Sequence, residues 1–122
     1  MGAQELQQRT KKFALNTLVF LNSIPYSISN QTIKNQLARS ATGTAANYRA
    51  ALKARSHKEF ISKLGLVVEE ADESWFWLDL LQDLNPEVPA IADLKMEAHE
   101  LTAIFVSSVK RLKAKESERS HS

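Results

Sequence analysis

The chain has 122 residues, no Cys, three Gly and three Pro, and 16 basic against 14 acidic side chains, for a formal net charge of +2. That length suits one domain with a core of its own, needing neither disulfides nor a structural metal; the lack of Cys agrees with a reducing compartment, so a cytoplasmic protein is expected. No apolar run approaches the ~18 residues of a membrane span, the polar stretch from Met1 to Lys12 lacks the apolar segment of an export signal, and few positions alternate as in a strand, which favours an all-α fold over any sheet.

The first helix is predicted over about residues 4–23, with Leu6, Phe13, Thr17, Phe20 and Ile24 on one stripe and Ala14, Leu18 and Leu21 widening it. Pro25 disfavours helix at the residue before it, Tyr26 to Ser29 forms a short loop, and Ser29 or Asn30 is expected to cap the second helix, predicted over about 31–54. A wheel at about 100° per residue turns Leu37, Ala41, Ala45, Tyr48 and Leu52 inward. The opposite side carries Arg39, Gly43, Ala46, Ala50 and Ala54, small residues where a solvated helix back is charged, which predicts a close contact with another helix or another subunit.

The third helix, about 56–84, opens on the capping box Ser56-His57-Lys58-Glu59. Phe60, Leu64, Val67, Ala71, Trp75 and Leu78 form its main stripe, while Leu66, Phe76 and Leu80 fall on the other side among Glu69, Glu73 and Asp83. A helix apolar on two faces is covered on two faces. Gly43, Ala46, Ala50, Leu66, Phe76, Trp77 and Leu80 are therefore the expected subunit interface of a homo-oligomer. Asn85-Pro86-Glu87-Val88-Pro89 breaks the pattern, and a fourth helix follows over about 90–113, with Ile91, Leu94, Ala98, Leu101, Phe105, Val109 and Leu112 inward. Residues 114–122, mixed in charge and Ser-rich, are expected as a flexible tail. Short links favour antiparallel neighbours, so residues 1–113 read as an up-down-up-down four-helix bundle.

Charge is unevenly placed. Residues 29–58 carry Lys34, Arg39, Arg49, Lys53, Arg55 and Lys58 with no acid, whereas Glu59, Glu69, Glu70, Asp72, Glu73, Asp79 and Asp83 face only Lys63 over 59–85. Arg49, Lys53, Arg55 and Lys58 are the candidate contacts to the phosphates of RNA or DNA. The competing reading has basic and acidic segments neutralise one another, and Arg39, among small residues on the back of its helix, is assigned to a structural ion pair with Glu69, Glu70 or Glu73. Lys110, Arg111, Lys113, Lys115 and Arg119 form a second basic group, explained by a solvated helix end. Trp75, Phe76 and Trp77 point in different directions; Trp75 reads as bundle core, and the acidic neighbours of Phe76 and Trp77 suit subunit contacts better than base stacking.

An enzyme is not expected. A di-metal bundle site needs inward Glu residues and Glu-x-x-His pairs, yet no acid lies between Glu5 and Glu59, and neither His57 nor His99 has a Glu three positions earlier. Glu97, His99 and Glu100 read as a surface group. No Cys nucleophile, Gly-rich phosphate loop, metal or cofactor motif is present.

Three stretches carry a resemblance: Gln36 to Ala50 with its Arg39-Ser40-Ala41-Thr42 and Ala46-Asn47-Tyr48 core, Arg55 to Leu64, and Glu69 to Ser74 with Trp77-Leu78. Over about residues 10–112 the chain resembles the four-helix-bundle family first noticed as reading frames inside intervening sequences of bacterial large-subunit ribosomal RNA genes, some members of which carry a ribosomal-protein label. Thr44-Ala45 departs from the pattern, where many relatives have a larger apolar residue. The resemblance implies a homo-oligomeric ring, commonly a homopentamer, and, through the related accessory protein of diversity-generating retroelements, binding to nucleic acid and to a reverse transcriptase. The expectation is a non-enzymatic helical adaptor that contacts RNA or DNA; the alternative is a homo-oligomeric protein-interaction module with no nucleic-acid role.

Overall fold

The computed structural model describes residues 1–121, with His121 described in its backbone alone. Four helices make up the fold: α1 (Ala3–Leu21), α2 (Ile28–Ala51), α3 (His57–Leu84) and α4 (Ala90–His121), with no strand among the described residues. Each helix packs on its neighbours in sequence and α1 closes against α4, whereas α1 and α3 stand diagonally apart. Neighbours run antiparallel. Asn30 meets Asn85 while Ser40 meets Ser74, so residue numbers rise on α2 as they fall on α3.

Helix ends follow local capping, and four expected boundaries move. α2 starts at Ile28 because Ser27, extended at φ −159°, accepts the Asn30 amide on its Oγ at 2.9 Å. Ser27 is therefore the N-cap in place of Ser29 or Asn30, and Asn30 is freed for tertiary bonding. α1 and α2 stop short of the expected ends at 23 and 54, since the amides of Ser23, Ile24, Lys53 and Ala54 bond back three residues and tighten the chain out of the α-helix. Ser56 caps α3 by accepting the Glu59 amide at 3.1 Å. α4 overruns its expected end at Lys113: Ala114 to Arg119 are nearly all strong helix formers with no Gly or Pro among them, and Arg119 pairs with Glu116 one turn earlier at 3.7 Å. The expected tail, 114–122, is helical through His121; Ser122 lies outside the described residues.

The core is a continuous apolar column. Phe13, Leu37, Leu64, Val67, Leu78, Leu81, Ile91, Leu101 and Phe105 are all fully buried, and the Tyr48 and Phe105 rings meet across the centre from α2 and α4 at 5.1 Å. The α2 wheel is set differently from its sequence reading. Ile33, Ser40, Thr44 and Ala51 are buried, whereas Ala45 is half-buried and Leu52 exposed. Buried hydroxyls on α2 and α3 find partners within the bundle: Thr44 donates to the Ser40 carbonyl, and Ser74 donates to Ser40 Oγ across the two helices at 2.8 Å. Such bonds let a hydroxyl be buried at little cost.

One polar pair ties the top of α2 to the end of α3. Asn30 and Asn85, both buried, exchange side-chain hydrogen bonds at 3.3 and 2.9 Å; Asn30 also donates to the Pro25 carbonyl and Asn85 to that of Leu81. Replacing either Asn by Ala is expected to cost about 1–3 kcal/mol, because the other amide is left buried and short of partners. The double variant should lose less than the sum, as a denaturation cycle on the four proteins would read.

Candidate nucleic-acid interface

Arg49 closes the last turn of α2, Lys53 and Arg55 lie in the α2–α3 turn and Lys58 in the first turn of α3, so the four candidates share one end of the bundle, all exposed. Among the described residues Arg49, Lys53 and Lys58 have no ion-pair partner, and Arg55, whose side chain is 90% exposed, reaches Glu59 only at 3.8 Å. An exposed pair of that kind contributes little and leaves the cation available.

Register brings the second basic group to the same end. Lys95 lies against Asp79 at 2.6 Å in antiparallel helices, and the interval from Asp79 back to Lys63 equals that from Lys95 on to Arg111. Both helices advance about 1.5 Å per residue. Lys110, Arg111, Lys113 and Lys115, all exposed, therefore come level with the first turns of α3. Sequence reasoning kept the two groups apart because it had no register between α3 and α4. The continuation of α4 past Lys113 had a signal in the absence of Gly and Pro after Pro89. No aromatic side chain is fully exposed at this end, where Phe60 is half-buried and Tyr48 and Phe105 are buried, so the surface offers charge and not stacking platforms.

Arg39, Arg9 and Lys95 are engaged within the chain. Arg39 sits between Glu70, at 3.4 Å, and Glu73, which it contacts closely; Glu69 stands exposed outside that set. Burial, the first cause, raises the Glu70 carboxyl above the usual carboxylate range, while Arg39 works to lower it. The Glu70 carboxylate also fills the space beside Gly43, where a Cβ would come within 2.7 Å of its Oε2. The close approach expected at Gly43 is made by the Glu70 side chain of α3 in the same chain. Ala46 is exposed and Ala50 half-buried.

Arg9 donates twice to Glu97, at 2.8 and 2.6 Å, and once to Glu100 at 2.6 Å, and so holds α1 to α4. Hydrogen bonding to Glu97 raises its already high pKa. Lys95 bonds Asp79 and Gln82 and lies 5.0 Å over the Trp75 ring. Among the described residues no three His, Cys, Asp or Glu side chains gather as a metal site, and no helix is long and apolar enough to cross a membrane.

Two outward faces remain apolar. On α3, Leu66 and Phe76 are 44% and 48% exposed, with Trp77 and Leu80 half-buried beside them and the Phe76 and Trp77 rings edge to face at 5.0 Å. On α1, Leu15 and Val19 are 57% and 62% exposed, and Leu18, expected inward, is exposed too. Sequence reasoning missed the α1 face by counting Leu18 as core; the spacing of Leu15, Leu18 and Val19, opposite Phe13, was the available signal.

The chain matches no family model, and no curated protein matches it. In fold it is similar to a protein of unknown function from the S23 ribosomal protein family of Bacteroides thetaiotaomicron, at a TM-score of 0.78 and 24% identity over 90% of this chain and 99% of that one. A likeness at that identity shows a shared helical fold.

Proposed function

We propose that the chain is a non-enzymatic helical adaptor of the cytoplasm, assembled from identical copies into a ring, that holds RNA or DNA by its phosphates at the basic end of the bundle. The observation that carries this reading is that Arg49, Lys53, Arg55 and Lys58 and the cations of α4 are exposed at one end of the bundle, where Arg49, Lys53 and Lys58 have no acidic partner among the described residues. Copies in a ring repeat that surface, and each Lys or Arg placed on a phosphate releases a counterion. The lack of exposed aromatics there supports contact with the backbone and not with bases. The resemblance of residues 10–112 to the intervening-sequence family supports a pentamer and a nucleic-acid enzyme such as a reverse transcriptase as protein partner.

Binding of a labelled RNA or DNA duplex is expected at about 50 mM salt and should fall steeply as salt rises. Lys53→Ala with Lys58→Ala should flatten the slope of log affinity against log salt by about two, one per cation removed. Absence of binding at the low salt would overturn this reading in favour of a homo-oligomeric protein-interaction module. The observation favouring that second reading is the pair of exposed apolar faces on α1 and α3.

A further inference from the structure

The two exposed apolar faces differ in charge. On α1, Leu18, Leu15 and Val19 fall within an arc of about 100° that also takes in Lys11, since successive residues turn by about 100°; Lys12 borders it. On α3, Phe76 and Leu66 bound an arc of about 80° that contains Glu69 and Glu73, by the same rotation, with Asp72 and Asp83 at its edge. Lys11, Lys12, Glu69, Asp72 and Asp83 are exposed and have no ion-pair partner among the described residues, while Glu73 is held by Arg39. The nearest acid on α1, Glu5, lies more than one turn before Lys11. One face is thus apolar and basic, the other apolar and acidic. Because α1 and α3 are diagonal in the bundle, the two faces look outward on opposite sides.

We propose that Leu15, Leu18 and Val19 on α1 of one copy seat against Leu66 and Phe76 on α3 of the next, with Lys11 and Lys12 opposed to Glu69 and Asp72. The inference rests on the self-association named above and specifies its faces. Pairing like with like is disfavoured: α1 against α1 brings lysines together, α3 against α3 brings unpaired acids together, and like charges across an interface oppose association. Pairing unlike faces is heterologous, so each copy keeps one free face of each kind until the chain of contacts closes on itself. A ring results where the rotation between copies closes, and an open filament where it does not. Burying large aliphatic side chains supplies the affinity and the charges fix the choice of partner face.

The test uses the full chain at micromolar concentration with light scattering on a sizing column. Val19→Glu alone and Phe76→Glu alone should each be monomeric, because every copy then lacks one of the two required faces. An equal mixture should form a dimer and nothing larger, since the first variant keeps its α3 face and the second its α1 face. Both positions are exposed, so the circular dichroism spectra should keep the wild-type helix content, with the melt lowered only by what assembly contributed. A charge exchange provides a second readout: Lys11→Glu with Lys12→Glu should weaken assembly, and adding Glu69→Lys with Asp72→Lys should restore it. An oligomeric wild type whose size survives either single variant, or a mixture that stays monomeric while the charge exchange fails to restore assembly, overturns the pairing but leaves self-association standing. A monomeric wild type overturns both.

Discussion

Phe105→Ala is expected to destabilise the bundle by about 3–5 kcal/mol, the range for emptying a buried aromatic position. Its side chain is 1% exposed and meets Tyr48 across the centre, so the loss falls where α2 and α4 face one another through the core without packing backbone to backbone. The cavity would be lined by apolar groups from a column that runs the length of the bundle, and the rings' mutual orientation adds about 0.5–1.5 kcal/mol beyond area. Against a typical stability of about 5–15 kcal/mol this is a large share. A thermal melt should drop by roughly 10–20 °C, from the usual scaling of a few degrees per kcal/mol at this chain length. Tyr48→Phe should cost far less, because the ring stays in place. A small drop for Phe105→Ala would mean that the helices close over the gap and that the α2–α4 diagonal is slack.

Why some of this was legible in the sequence and some was not follows from what each residue signals. α3 and α4 could be read nearly to the residue at their starts, because Ser56-x-x-Glu59 and Pro89 are strong local markers whose effect does not depend on the rest of the fold. α2 was harder. Its inward positions are largely Ser, Thr and Ala, and a wheel weighted by hydrophobicity turns toward Leu52 and Ala45 because Ser40 and Thr44 look polar; only the Ser40–Ser74 bond across the seam shows them to be interior. Gly43 was ambiguous for a related reason. A small residue on a helix back announces that something comes close, but it does not say whether the visitor is a second chain or, as here, the Glu70 side chain. The Asn30–Asn85 pair depends on a contact between residues 55 apart, which no local pattern encodes.

The candidate site divides along the same line. That Arg49, Lys53, Arg55 and Lys58 would be exposed near one turn followed from spacing alone, but their union with the end of α4 required the antiparallel register set by Lys95 and Asp79. Arg39 belongs to the same basic segment and is drawn into a different role, held between Glu70 and Glu73 on the side of the bundle. The net charge of the segment therefore overstates what is free to meet a ligand.

Replacing Lys110, Arg111, Lys113 and Lys115 by Ser should weaken binding of a nucleic-acid duplex at least as much as changing Lys53 and Lys58. The expectation follows from helical geometry. A disordered tail would bring its charges to a ligand only after paying the entropy of ordering, about 1–2 kcal/mol per residue. In the helix of α4 those residues are already fixed beside the first turns of α3, so each can act as a positioned phosphate contact. If all four reach phosphates, the slope of log affinity against log salt should fall by nearly four, and affinity at about 0.15 M salt by one to three orders of magnitude, on the counterion-release scale. Stability should change little, because all four side chains are exposed and without an ion-pair partner among the described residues. A binding curve and salt slope unchanged by the four substitutions would confine the ligand surface to the α2–α3 turn. An equal loss from the Lys53 and Lys58 pair and from the α4 set, with the combined variant unable to bind, would mean that one ligand spans both groups.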